Sequence, residues 1–184
     1  MAEYMIHALK GNPEGGQTVV SDANPLPTTG NLAAAGYASV PTITISASPN
    51  YDAADIAGGI ISLTTVNNST GRPVKLTSMT LTDDGNQGPA LTFMFFKATP
   101  AAGTYTDNEA LVWGAGDLAN LVGVVRVLAA DWITVVSEKI LNLGDIGQIM
   151  PVAATTLFML IHVDATWNAG GTADLKITFG FEHM

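Results

Sequence analysis

The sequence predicts an all-β fold: a jelly-roll-like antiparallel β-sandwich of about eight strands, preceded by an extended N-terminal arm. Three observations carry that expectation. Short runs rich in Val, Ile, Thr and Phe recur from Thr42 to the C-terminus, each bounded by Gly, Pro, Asn or Asp. The last run alternates strictly, with Ala173, Leu175, Ile177, Phe179 and Phe181 on one parity and Asp174, Lys176, Thr178, Gly180 and Glu182 on the other. Such alternation makes a strand buried on one face only. Third, the first ~40 residues are dense in chain breakers and too poor in apolar residues to form a core of their own.

Taken in order, the arm holds Gly11-Asn12-Pro13-Glu14-Gly15-Gly16 and Asn24-Pro25-Leu26-Pro27-Thr28-Thr29-Gly30, interrupted only by short apolar pieces such as Thr18-Val19-Val20. Residues 1–40 are therefore expected as arm and 41–184 as sandwich. The strand candidates are Thr42 to Ala47, Gly59 to Val66, Val74 to Asp83, Ala90 to Lys97, Gly123 to Leu128, Trp132 to Ser137, Thr155 to Asp164 and Ala173 to Glu182. In Val74 to Asp83 the apolar phase slips between Leu76 and Met79, which predicts a bulge near Ser78. Ala90 to Lys97 and Thr155 to Ile161 are almost continuously apolar, as suits strands covered on both faces. Asp107 to Leu121 is the place for short helical turns, with Asp117 capping a turn over Leu118-Ala119-Asn120-Leu121. An immunoglobulin-like Greek key is the nearest competing sandwich. No internal repeat of fixed period points to a solenoid or propeller.

Composition narrows the function. The chain has 184 residues, 16 acidic and 7 basic side chains, and a formal charge of -9; only 12% of it is charged while 47% is hydrophobic. That hydrophobic content argues against charge-driven disorder. The absence of cysteine excludes a disulfide scaffold or a Cys-based zinc site. Seven scattered cations under a net negative field argue against a nucleic-acid partner. No run approaches the ~20 apolar residues of a membrane helix, so no membrane partner is expected. Met1-Ala2-Glu3-Tyr4-Met5 has neither the basic nor the apolar region of a secretory signal.

The sequence presents no catalytic, cofactor-binding or metal-ligating residue that its motifs would assign, and no cofactor is expected. His7 and His183 lie near the two termini and read as solvated or contact residues, and His162 as a strand residue with its ring at a sheet edge. They form no His-x-His or His-Glu-x-x-His pattern. There is no Gly-x-Ser-x-Gly elbow and no phosphate-binding glycine motif; Gly114-Ala115-Gly116 runs into Asp117, whose charge would repel phosphate, and reads as a loop. Asp83-Asp84-Gly85-Asn86 could offer oxygens to calcium but reads better as a turn, as does Asp107-Asn108-Glu109. Asn67-Asn68-Ser69-Thr70 contains two overlapping glycosylation sequons and is likewise read as a turn. Tyr105, Trp113, Trp132 and Trp167 fall near strand ends and loops; core or interface anchoring is the first reading and sugar stacking the second.

One stretch resembles a known group. Pro89-Ala90-Leu91-Thr92-Phe93 through Phe95-Phe96-Lys97-Ala98-Thr99-Pro100, then Thr104-Tyr105-Thr106-Asp107-Asn108-Glu109-Ala110, is similar to a recurrent pattern of tailed-bacteriophage virion proteins. It continues with Asp117-Leu118-Ala119-Asn120-Leu121-Val122-Gly123-Val124-Val125 and Asp131-Trp132. The similarity spans residues 55–182, with an echo in the arm at Gly16-Gln17-Thr18 and Asn24-Pro25-Leu26-Pro27. It implies a non-enzymatic β-sandwich subunit of the virion, foremost a capsid decoration (cement) protein. The expected partners are the major capsid protein and copies of itself, as a homotrimer on the outer capsid surface, made in the host cytoplasm. The alternatives are a tail, collar or baseplate component, or a lectin-like carbohydrate-binding jelly roll. The -9 charge favours the outside of a particle, away from packaged DNA. The resemblance transfers no functional residue; Asp107-Asn108 is expected to shape a loop, its Asp side chain holding local backbone amides.

Overall fold

The computed structural model describes residues 37–45 (backbone), 50–66, 71–169 and 175–184. Its strands, in chain order, are β1 (Tyr37–Ile45), β2 (Asn50–Tyr51), β3 (Ile56–Leu63), β4 (Val74–Asp83), β5 (Leu91–Phe96), β6 (Leu121–Val127), β7 (Ile133–Val135), β8 (Glu138–Leu143), β9 (Gln148–Met150), β10 (Leu157–Val163), β11 (Trp167–Asn168) and β12 (Leu175–His183). Two single 3-10 turns, Asp117–Asn120 and Ala129–Asp131, flank β6.

Eight of these strands have six residues or more: β1, β3, β4, β5, β6, β8, β10 and β12. One sheet runs β1-β12-β4-β8 with β7 at its end, and the other runs β3-β10-β5-β6. Counting only the long strands, the sheets read first-eighth-third-sixth and second-seventh-fourth-fifth, all antiparallel. That interleaved order is the double Greek key of a jelly roll, so the expected fold class holds. The immunoglobulin-like alternative fails on the same strand order.

The expected alternation of the last strand decides which face of β12 meets the core. Leu175, Ile177, Phe179 and Phe181 are buried, whereas Lys176, Thr178, Gly180 and Glu182 are only partly covered. Across the interior Phe95 meets Phe179 edge to face, 6.0 Å between centroids, and Phe179 stacks near Phe181. The two nearly continuous apolar strands are covered on both faces. Phe93, Phe95, Met159 and Ile161 point into the main core, while Met94, Phe96 and Leu160 enter a second cluster on the outer face of the four-stranded sheet.

The bulge expected near Ser78 is present one residue earlier. Gly180 pairs with Ser78 and Phe181 with Leu76, leaving Thr77 extra. Thr77 Oγ1 donates to the Gly180 carbonyl, and the Thr77 carbonyl accepts from Ile146 N–H, so the irregularity is satisfied rather than left open. It coincides with a break in the neighbouring chain. β8 pairs with Met79 to Asp83 and β9 with Val74 to Leu76, the two together lining β4.

Two expectations are corrected. Trp132 to Ser137 is not one strand: β7 occupies Ile133–Val135, and Val136 and Ser137 turn into β8, which holds the place beside β4. The turn has no Gly, Asn or Asp to advertise a two-residue hairpin; Val136 itself takes a positive φ of 58°. The sheet also starts earlier than expected. Tyr37 to Val40, assigned to the arm, pair with Phe179 to Glu182. The remainder of the expected arm, including His7, and the sequons at 67–70 lie outside the described residues. Among the described residues no helix is long and apolar enough to cross a membrane.

Candidate interaction surface

The link from β5 to β6, residues 97–120, folds back over the outer face of the four-stranded sheet. It is tied to the free side of β3 as a strand would be: Ile56 N–H donates to the Glu109 carbonyl, and Asn108 N–H to the Ile56 carbonyl. Inside the link, Thr104 and Val112 exchange backbone hydrogen bonds. Two glycines permit this closeness. A Cβ on Gly103 would sit 2.1 Å from the Val112 carbonyl oxygen, and one on Gly114 would sit 2.2 Å from the Ala102 backbone.

Two carboxylates, buried Asp117 and half-buried Asp107, hold the link together. Asp117 accepts from Ala101 N–H at 3.2 Å, Ala102 N–H at 3.0 Å and Tyr105 Oη at 2.6 Å, and Tyr105 Oη in turn accepts from Gly114 N–H. Asp117 was expected to cap the turn it begins. Its side chain makes no cap there and instead reaches back across 16 residues of chain to Ala101. Asp107 likewise holds distant groups rather than local amides: its Oδ1 accepts from Tyr51 Oη at 2.9 Å and from Gly58 N–H at 2.6 Å. Asn108 does shape the loop, at φ 59°.

These contacts move the ionisations apart. The hydrogen bond from Tyr105 lowers the Asp117 pKa, overcoming the upward push of burial with help from the backbone amides of Ala102 and Ala101. Burial, then the hydrogen bond to Asp117, raises Tyr105. Burial and the hydrogen bond to Asp107 raise Tyr51 still further. On the far end of the same sheet face, Asp164 accepts from Thr92 Oγ1 at 3.0 Å and Arg126 Nε at 2.9 Å, and its Oδ1 lies 2.8 Å from His162 Nδ1. Burial there works to raise the carboxyl, but the hydrogen bonds from His162, Thr92 and Arg126 outweigh it and leave Asp164 lowered. Arg126 is largely exposed, so its ion pair contributes little to stability.

A pH profile follows, with signs fixed by linkage. Asp117 and Asp164 bind protons more weakly when folded, so their stabilisation is complete above the ordinary carboxylate range and is lost as pH falls through their folded values. Tyr51 and Tyr105 hold their protons more tightly when folded, so theirs is complete below the ordinary tyrosine range, about pH 10, and is lost above it. Denaturation midpoints measured across pH should show a plateau between the two limbs. Asp164→Asn should shallow the acid limb and leave the alkaline limb unchanged; an acid limb identical to that of the natural chain contradicts the assignment.

The candidate chemical groups are thus placed as scaffold. His162 stands in β10, between β3 and β5, not at a sheet edge as expected. The Thr92 hydroxyl donates to Asp164 rather than to His162. Asp83-Asp84-Gly85-Asn86 is a turn: Asp83 accepts from the N–H groups of Gly85, Gln87 and Gly88, and Asn86 N–H donates to the Asp83 carbonyl. Among the described residues no group of three His, Cys, Asp or Glu converges on a metal position. His183, expected as a solvated or contact residue, has both ring nitrogens covered and no hydrogen-bond partner among the described residues.

Of the four aromatic candidates, three are anchors. Tyr105, Trp132 and Trp167 are buried; Trp132 Nε1 donates to the Pro89 carbonyl, and Trp167 stacks on Tyr51 at 5.2 Å. Trp113 alone of the four stays open, 38% exposed, packed over Phe96 and against the edge of Tyr105. With exposed Val112 and Leu118 it forms the apolar top of the folded-back link. The Asp164 cluster had a visible sign, since His162 and Asp164 two apart on a strand share a face. The Tyr51–Asp107 and Tyr105–Asp117 pairs had none.

No protein-family model matches this chain, and no curated protein does. Among solved structures it is similar to the infectious bursal disease virus Gx strain, at 16% identity and a TM-score of 0.31 over 97% of this chain. A second likeness is to the infectious bursal disease virus VP2 subviral particle, at 16% identity and a TM-score of 0.30, again over 97% of this chain. The chain spans only 36% and 37% of the length of those two chains. At such TM-scores the likeness carries no inference, and the fold rests on the strand order described above.

Proposed function

We propose that this chain is a non-enzymatic virion structural protein, a capsid decoration (cement) subunit that binds the outer surface of a phage head and stabilises it through its sandwich and N-terminal arm. The observation that carries the reading is the double Greek-key order of the two sheets, an architecture shared by viral capsid and lectin domains. It is joined by the sequence resemblance to tailed-phage virion proteins. The acidic side chains that would be candidates for catalysis (Asp83, Asp107, Asp117 and Asp164) are engaged in holding loops and strands. The -9 charge suits an outer position, away from DNA, with the major capsid protein and further copies of the chain as partners in a homotrimer.

The test is to image native particles and count copies. A decoration subunit is expected as an ordered surface lattice in a fixed ratio to the major capsid protein. A few copies confined to one vertex or to the tail would replace this reading with a tail, collar or baseplate role. Exposed Trp113, packed over Phe96, supports a glycan-binding reading as the third choice; binding on a glycan array that is lost in Trp113→Ala would establish it.

A further inference from the structure

The outer strands of the two large sheets are finished very differently. At β1 the edge carries Pro41, which has no N–H to offer, and a register shift between Val40 and Ile43. At β3 the edge is occupied by the folded-back link, through Ile56 with Asn108 and Glu109 and through Gly58 N–H on Asp107. At β6 the strand bears charged Arg126 and a register shift opposite Phe95 and Phe96. Among the described residues, none of these devices is present at β7. Its residues Ile133, Thr134 and Val135 are all exposed, Ile133 at 67%, and Val136 beyond them is 97% exposed in a left-handed conformation unfavourable to a β-branched side chain.

We infer that β7 pairs antiparallel with β7 of a second copy of this chain, about a two-fold axis at Thr134, joining the two larger sheets into one. Backbone geometry supplies the first argument. Val135 and Glu138 flank a two-residue turn and pair with each other, so the alternation of an antiparallel ladder turns the N–H and C=O of Thr134 away from β8, towards the open edge. Two Thr134 residues on a two-fold axis can exchange both bonds.

Side chains supply the second. With Thr134 on the axis, Ile133 of each copy lies opposite Val135 of the other on one face, and the threonines face one another on the opposite face. β-Branched apolar pairs and Thr–Thr pairs are both favourable cross-strand neighbours. Ile140, paired with Ile133 within the chain, extends the apolar stripe on each side of the seam.

Charge supplies the third argument and selects a second copy as the occupant. Copies bearing -9 each repel wherever their charged faces meet, whereas Trp132 to Ser137 is an uncharged run between Asp131 and Glu138. Pairing there brings neutral surface to neutral surface. The contact is small, and repetition over a surface lattice is what makes it count; one such edge per copy would link each trimer to three others. This rests on the self-association within the proposed function, but a capsid could hold the subunit without it.

The chain has no cysteine, which permits a clean test on the purified full-length protein. Thr134→Cys places two thiols across the axis with Cα atoms about 5.5 Å apart, inside disulfide range. Val136→Cys places them roughly 13 Å apart, outside it. Under mild oxidation Thr134→Cys should be trapped as a covalent dimer many-fold faster than Val136→Cys. Adding Ile133→Lys to Thr134→Cys should suppress the dimer while leaving the thermal midpoint unchanged, because Ile133 is on the surface. Equal trapping of the two single variants, or trapping that survives Ile133→Lys, overturns the proposal. Neither result alters the particle copy count that tests the virion role.

Discussion

Phe95→Ala should lower the free energy of unfolding by about 3–5 kcal/mol, the range for truncating a buried phenylalanine to alanine. For a domain of this size that is a fall in thermal midpoint of roughly 10 °C or more. Phe95 is fully buried on the inner face of β5 and meets Phe179 of the opposite sheet edge to face. Its removal therefore opens a cavity between the sheets, where strand pairing prevents collapse. Phe96, next in sequence and also fully buried, belongs to the outer cluster under Tyr105. Phe96→Ala should loosen the 97–120 link preferentially, registering as faster amide exchange at Ala101 and Ala102. A loss below about 1 kcal/mol for Phe95→Ala would show that the sheets do not share the core described here.

Asp83→Ala is expected to cost about 3 kcal/mol, because it leaves three backbone donors, that of Gly88 buried, without their acceptor. Asp83 is fully buried, and its two oxygens serve Gly85 N–H at 3.1 Å, Gln87 N–H at 2.7 Å and Gly88 N–H at 2.6 Å. Gly88 disfavours a side chain: its φ is +64°, and a Cβ there would lie 2.6 Å from Lys139 Cδ and 3.0 Å from Trp132 Cγ. The turn is thus wedged between its own carboxylate and the start of the β7–β8 hairpin. Asp83→Asn keeps one acceptor oxygen and should lose roughly half as much. Trp132, whose indole donates to Pro89, offers a fluorescence readout of the same turn. Equal stability of Asp83→Ala and the natural chain in denaturant titrations would mean that water replaces the carboxylate.

The long strands were legible because their burial is written into residue period. β12 alternates and is covered on one face; β5 and β10 do not alternate and are covered on both. The Thr77 bulge was visible as a phase slip, since an extra residue exchanges the faces of everything after it. β8 was missed because its hairpin turns through Val136 and Ser137, and Val136, a β-branched residue at the left-handed position, signals strand rather than turn. The short β9 was missed because three residues show no period.

The site reading divides in the same way. That Asp83 to Asn86 forms a turn followed from residue type, because an aspartate holding amides two to five positions ahead is a local interaction. The partners of Asp117 and Asp107 did not follow. Tyr105 lies 12 residues from Asp117, Tyr51 56 residues from Asp107, and sequence separation says nothing about which distant donor a loop will meet.

The sequence by itself determined the fold class, the faces of the long strands and the absence of cysteine chemistry, because each is set by composition or by periods of a few residues. Only the tertiary structure decided the strand order, the use of the aspartates as loop scaffold and, among the described residues, the unprotected edge at β7. Those depend on which strands become neighbours, and an edge is defined by the neighbour a strand lacks.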